Sequence, residues 1–314
     1  MRERKGLMRT FAEADPRPMK TSKLCLVLNK KSVNRPEVRE AIELVRGRGA
    51  DLDVRIPWDA EDSAQVVRDA VAQGCERIIV GGGDGTINAV VNALVADGRE
   101  PPGAALGILP LGTANDFAHG CGLPVKDLSR CLEIACSSRP TSIDVGRADS
   151  RFFLNVTSGG YGAEITATTP GKLKKTLGGA AYTLMGLIKA FDLQPYEGRL
   201  LVPGEEPVEG SMLLMAVGNN RLAGGGFEVA PEARLDDGLL DLAMVRHEPA
   251  MELKRLMAEL KTPTSPDNKY LYYRQLAEFT VEAKRELHFN LDGETVLTSR
   301  LTFSVLPNHL EVVF

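Results

Sequence analysis

A chain of 314 residues exceeds the length, about 250 residues, at which one hydrophobic core usually divides, so two domains are expected. A formal net charge of −4, a pI near 5.7 and 25% charged residues leave no basic excess of the kind that grips nucleic acid, and no DNA or RNA partner is expected. Five scattered cysteines form no CxxC pair and no Cys/His cluster of metal-site spacing, which fits a reduced cytoplasm.

The opening MRERKGLMRTFAEADPRPMK mixes charge signs and prolines and lacks the apolar run of a signal peptide. Residues 1–22 are therefore expected to be a flexible extension. From Lys23 the pattern alternates. KLCLVLN reads as a buried strand; Pro36 then opens a helix whose Val38, Ala41, Ile42 and Val45 fall on one face before Gly49 stops it. DLDVRI is the next strand. Asp62 is expected to cap a helix carrying Val67, Ala70 and Val71, ended by Gly74 ahead of the strand ERIIV. A helix from about Thr86 to Ala96, the strand ALGILP, the loop LGTANDFAHGCGLP and a helix around Leu128, Cys131, Leu132 and Ala135 follow. Such alternation predicts a mostly parallel sheet wrapped by helices over residues 23–145.

Beyond Asp144 the character changes. RFFLNVTS, GRLLVP, SMLLMAVG, GLLDLAMVR, AEFTVEA, ELHFNL and LTFSVLP are short runs broken by Gly, Pro and Asp, which predicts an antiparallel, β-sandwich-like second domain over 146–314. Two helices interrupt it, one after Gly171 and one over PAMELKRLMAELK. No run of 18 apolar residues spans a membrane. The stretch from Leu177 to Phe191, preceded by Lys172, Lys174 and Lys175, reads either as a core helix or as a segment for transient contact with a membrane surface.

Chemistry concentrates where the parallel strands end. In RIIVGGGDGTINAVVNALV, four glycines and Asp84 lie between a strand and a helix. A glycine-rich turn there offers backbone N–H groups and a helix N-terminus to an anion such as phosphate, at the carboxyl edge of the sheet where ligands bind. It is no P-loop, because no Lys-Ser or Lys-Thr follows, and Thr86 replaces the third glycine of GxGxxG. A tight strand-to-helix turn would use the same glycines. What separates the readings is Asp84, an acid among groups that attract anions, which makes sense with Mg²⁺ between it and phosphates. A second loop, GILPLGTANDFAHG, repeats the arrangement with Gly112, Thr113, Asn115 and Asp116, although TAND also suits a helix cap.

GGGDGTINAVVNAL together with GILPLGTANDFA resembles the diacylglycerol-kinase catalytic-domain family, whose GGDGT loop is shared with NAD kinases and phosphofructokinases. GGYGAEIT, VGNNRLAGGGFEVAPEARLDDGLLDL and FNLDGE are similar, in order and spacing, to the later signatures of bacterial YegS-type lipid kinases. The resemblance implies an NAD kinase- and phosphofructokinase-like α/β domain followed by the β-sandwich-like domain, with the site in the cleft between them and the last strand able to return to the first domain. It implies that Gly83, Asp84, Gly85, Thr86, Ile87, Asn88 and Ala89 wrap the ATP phosphates, with Thr113 contributing to the same site. Asp237 with the carbonyls of Arg234 and Leu239 matches a metal loop for Mg²⁺, with Ca²⁺ as the alternative ion. Glu294 matches a proton acceptor, and Asp116 and Asp144 match acids near a metal and water network. Pro57 departs from the pattern, which carries a threonine there on the ATP side.

Local readings remain beside these. LDGE suits a tight hairpin turn that leaves Glu294 merely exposed, DDGLLDL suits a turn before a strand, and Gly224, Gly225 and Gly226 suit close backbone packing. The resemblance implies a cytoplasmic, Mg²⁺-dependent kinase of a phosphatidylglycerol- or diacylglycerol-like hydroxyl, with transient contact at the inner membrane surface; a homodimer is left open. The rival readings are a kinase of a soluble substrate such as NAD and a catalytically weak lipid- or nucleotide-binding regulator.

Overall fold

The computed structural model describes residues 22–95, 101–160, 195–249, 251–291 and 294–314. The expected extension, the helix after Gly171 and the stretch from Leu177 to Phe191 lie outside the described residues, as do Asp292 and Gly293 of FNLDGE.

Four strands, β1 (Lys23–Leu28), β2 (Asp51–Arg55), β3 (Arg77–Gly82) and β4 (Ala105–Pro110), pair in parallel in the order β4-β3-β1-β2. All of β4 and nearly all of β1 and β3 is buried, as continuous apolar runs covered on both faces should be. Helix α1 (Pro36–Gly47) starts with proline at its first position and buries Val38, Ala41 and Val45. Helix α2 (Ala60–Ala72) begins earlier than the sequence suggests. Its cap is Asp59, whose carboxylate accepts from the Asp62 N–H at 2.9 Å, while Asp62 returns the favour to the Trp58 N–H at 2.7 Å. Each of the two acids accepts one backbone N–H, from Asp62 and from Trp58 respectively, and only the first is the cap. Helix α3 (Asp84–Val95) leaves β3 after a single residue, and α4 (Asp116–Gly120) and α5 (Leu128–Ser137) follow β4.

The second half is antiparallel. Strands β5 (Thr141–Ala148), β6 (Arg151–Phe153), β7 (Val156–Gly160), β8 (Tyr196–Leu201), β9 (Val208–Gly218), β12 (Leu240–Arg246), β13 (Leu271–Leu276), β14 (Glu278–Leu291) and β15 (Glu294–Val313) pair with one another, and the short β10 (Leu222–Ala223) and β11 (Phe227–Glu228) form a separate ladder. RFFLNVTS is thus two strands, whereas AEFTVEA and ELHFNL are one strand with a register shift between Glu282 and Leu287. Helix α6 (Leu253–Glu259) packs beside β13. Phe303 of β15 stacks on Phe279 at 5.1 Å between ring centroids and meets Phe289 at 6.1 Å, at the centre of this half's core.

The two halves share backbone. The end of β15 pairs in parallel with β4, Val312 opposite Leu106 and Val313 opposite Gly107, so among the described residues the parallel and antiparallel strands form one 13-stranded sheet. β5 also pairs with β15, from Phe303 opposite Ala148 to Val312 opposite Thr141.

Candidate active site

β3 ends at Gly82, and the Gly83 carbonyl immediately accepts from the N–H groups of Thr86 and Ile87 at 2.9 and 3.0 Å, which starts α3. The loop after β4 lies directly against this turn. A methyl group on Gly83 would sit 2.9 Å from the Gly112 Cα, and one on Gly112 would sit 2.5 Å from the Gly83 Cα, so both positions require glycine. The Asn115 side chain, on a left-handed backbone with φ of 52°, accepts from the Gly112 N–H at 2.8 Å and donates to its carbonyl at 3.1 Å, folding the second loop into place. The two motifs are therefore a single double-loop edge at the carboxyl ends of adjacent strands. Gly85 and Thr113 are exposed there, and Gly83, Asp84, Thr86 and Ala89 are half-buried. Ile87 and Asn88 are buried, and Asn88 accepts from the Asn92 amide, which also bonds the Phe152 backbone of β6.

Asp84 holds the loops together. Its carboxylate accepts from the backbone N–H groups of Asp116 (3.2 Å) and Phe117 (3.0 Å) and from the Asn155 amide (3.2 Å). One acid thus ties the glycine loop to the second loop and to the residue preceding β7. Asp116, 5% exposed, continues the chain of contacts by accepting from the N–H groups of Gly225 (3.0 and 3.1 Å) and Gly226 (2.6 Å). Burial pushes the Asp116 carboxyl up, against those two hydrogen bonds, and the neighbouring Asp84 charge adds to the rise. Close packing is not why Gly224, Gly225 and Gly226 are glycine. A methyl group on Gly225 or Gly226 would meet open space, but all three have positive φ, at 64°, 94° and 94°, the backbone that turns two successive N–H groups toward Asp116.

A second group of acids lies under the 234–239 turn. Asp144, fully buried in β5, accepts from the N–H groups of Gly238 (2.6 Å) and Asn308 (2.7 Å), and its own N–H donates to the Leu235 carbonyl at 2.6 Å. Asp237 accepts from the Leu239 N–H at 3.1 Å, and burial followed by the Asp144 charge pushes its carboxyl up. Two carboxylates held this close favour a cation. Asn219, whose amide N–H bonds the Asp144 and Leu154 carbonyls, leaves its buried Oδ1 without a hydrogen-bond partner among the described residues. Among the described residues no three His, Cys, Asp or Glu side chains form a metal cage, so an ion here would need backbone carbonyls such as those of Arg234 and Leu239. An oxygen-only donor set of this kind fits Mg²⁺ or Ca²⁺.

Glu294 begins β15 opposite Leu291. β14 runs antiparallel to β7, with Phe289 opposite Gly159 and Asn290 opposite Ser158, so β14 ends and β15 begins toward Asn155, at the end of the sheet where Asn155 meets Asp84. Two strand spacings put Glu294 about 10 Å from β7. Its side chain is 68% exposed and ion-paired with Arg151 of β6. Sequence reasoning missed Arg151, Asn155, Asn219 and Asn220, whose amide donates to Asn155 at 3.3 Å. Three asparagines buried at strand ends among apolar residues were the available signal.

Both halves of the chain match known families. Residues 23–148 match the model of the diacylglycerol kinase catalytic domain, and residues 155–314 match that of the YegS C-terminal NAD kinase beta sandwich-like domain. A "Probable lipid kinase YegS-like" protein of Chromohalobacter salexigens is 45% identical over 288 residues, covering 91% of each chain. One of the same name from Pseudomonas aeruginosa is 40% identical over 94% of this chain and 95% of its own. The crystal structure of a diacylglycerol kinase from Bacillus anthracis superposes with a TM-score of 0.69 at 20% identity over 94% of this chain and 97% of that one. An NAD kinase from Archaeoglobus fulgidus in complex with ATP gives 0.52 at 12% identity over 93% of both chains, a likeness of fold alone. With both halves matched and more than nine tenths of each relative covered, the chain belongs to the YegS-type lipid kinases of the diacylglycerol kinase catalytic-domain family.

Proposed function

We propose that the protein transfers the γ-phosphoryl group of ATP to the hydroxyl of a phosphatidylglycerol- or diacylglycerol-like lipid. The observation that carries this reading is the backbone contact of Gly83 with Gly112, which makes one anion-facing edge of two loops that Asp84 ties together. Phosphoryl transfer runs through a loose transition state, so the protein's task is to position groups and to stabilise charge. Backbone N–H groups of Gly83 and Gly85 and the Thr86 hydroxyl would orient the nucleotide phosphates without a lysine, and Thr113 would reach the same phosphates from the second loop. Mg²⁺, held at Asp237 with the carbonyls of Arg234 and Leu239, would supply neutralisation of phosphate charge.

In this scheme Glu294 takes the proton of the acceptor hydroxyl as its oxygen bonds to phosphorus, a contribution usually worth about 10² to 10⁴ in rate. Arg151 holds the Glu294 carboxylate until the acceptor hydroxyl arrives. Asp116 positions the 224–226 turn through its hydrogen bonds to Gly225 and Gly226. Contact with a membrane surface would be transient: among the described residues no helix is long and apolar enough to cross a membrane. The test is radiolabelled ATP with fractionated bacterial lipids. Label in a phosphatidylglycerol or diacylglycerol fraction is expected; label transferred to NAD and to no lipid would overturn the reading.

A further inference from the structure

The chain has one tryptophan, and it is the most exposed of the large apolar side chains in the described residues: Trp58 is 80% exposed, against 50% for Leu297 and 45% for Ile56. A lone exposed apolar side chain needs no partner by itself, so what matters is how this one is held and where it stands. Trp58 is also held in place. Its N–H donates to the Asp62 carboxylate at 2.7 Å, and the Lys30 ammonium lies 4.5 Å from the ring centroid. With the lysine over the ring and most of the side chain open to solvent, Trp58 offers a flat apolar surface for a planar group.

Its position narrows what that group is. Trp58 follows β2 and Lys30 follows β1, and both strands end at the carboxyl edge that carries the glycine loop at the end of β3. β1 lies between β2 and β3, so two strand spacings, about 10 Å, separate the end of β2 from the glycine loop. The Asn29 N–H bonds the Gly81 carbonyl at 2.9 Å, and the 3-10 turn Lys30–Ser32 lies between the two. That separation is what a ribose and its first phosphates bridge.

We propose that Trp58, with Lys30 against its ring, is the stacking platform for the purine of the nucleotide whose phosphates the glycine loop receives. This rests on the kinase reading and specifies its base-binding side. Stacking on an aromatic side chain tolerates any base, so the platform adds affinity for nucleoside over bare phosphate with little choice between adenine and guanine.

The single tryptophan makes the test direct. ATP, GTP and inorganic tripolyphosphate are titrated into the full chain and into Trp58→Ala and Trp58→Phe, with calorimetry on all three, tryptophan emission on the parent, and vesicles of phosphatidylglycerol as a separate arm. Expected are quenching by ATP and GTP in the parent, about tenfold weaker ATP binding in Trp58→Ala, unchanged tripolyphosphate binding, and near-parental ATP binding in Trp58→Phe. Calorimetric ATP binding with unchanged emission, or with undiminished affinity in Trp58→Ala, overturns the platform and leaves the kinase reading standing. No ATP binding by calorimetry overturns that reading and the platform with it. An emission shift with vesicles and none with ATP assigns Trp58 to a lipid surface and overturns the proposal.

Discussion

Asp241 of β12 is fully buried, directly beyond the 234–239 turn, where its carboxylate accepts from the Tyr273 hydroxyl and at 3.4 Å from the Gln275 amide. Burial outweighs those two bonds and raises its carboxyl from 3.8 to about 6. The folded state therefore prefers the protonated acid. Stability from this group is fully present below the unfolded value and is lost as pH rises toward and through the folded one. At about 1.36 kcal/mol for each tenfold change in proton affinity, the full loss is about 3 kcal/mol by pH 8 and about half of that at pH 5. Asp241→Asn keeps the acceptor for Tyr273 and cannot ionise, so its advantage over the parent should widen by about 1 kcal/mol between those pH values. For a chain of this length that is roughly 2 °C in Tm. Thermal melts of parent and variant at pH 5 and pH 8, followed by circular dichroism, measure it; a Tm difference that is equal at both pH values, or that shrinks at pH 8, refutes the reasoning.

Three predictions concern the chemistry. Glu294→Gln keeps size and hydrogen bonding but cannot take a proton, so kcat for lipid phosphorylation should fall about 10²-fold or more with nucleotide affinity retained by calorimetry; parental turnover would return Glu294 to a hairpin role. Asp84→Asn turns an NH2 toward either the Asp116 or the Phe117 N–H, each of which bonds a different carboxylate oxygen, so turnover should drop by orders of magnitude and Tm by a few degrees, a lost bond being worth about 1 kcal/mol. Near-normal phosphorylation there would reduce the loop to a structural turn. In Asp237→Ala, chelation followed by a Mg²⁺ titration should shift half-maximal activity to higher Mg²⁺, and an unchanged titration removes that site.

What the sequence disclosed was mostly local. Helix α1 was legible because Pro36 and the spacing of Val38, Ala41 and Val45 are contained within a few turns, and the glycine loop because its residues are consecutive. The cap of α2 was misread because Asp59 and Asp62 both suit the position, and only the geometry says which accepts from the other's N–H. LYYRQL, now β13, gave no sign of its pairing with β12, and nothing local joins AEFTVEA to ELHFNL across a register shift. The roles of Asn155, Arg151 and the glycines 224–226 were hidden for the same reason. Their partners are Asp84, Glu294 and Asp116, and contacts at such separations leave no periodicity to read.

The pairing of Val312 and Val313 with β4 bears on how the chain is made. During synthesis β1 to β4 emerge first and can assemble their parallel sheet, but β4 then presents an unpaired, wholly apolar edge. That edge waits until nearly all of the remaining chain has left the ribosome, an interval of tens of seconds at roughly 5 to 20 residues per second. An open edge of this kind recruits other strands, so the nascent first half is the species most exposed to mispairing and most dependent on a chaperone. The strand that closes it also carries Glu294 at its other end, so completion of the first half's sheet and delivery of the proposed base are one folding event.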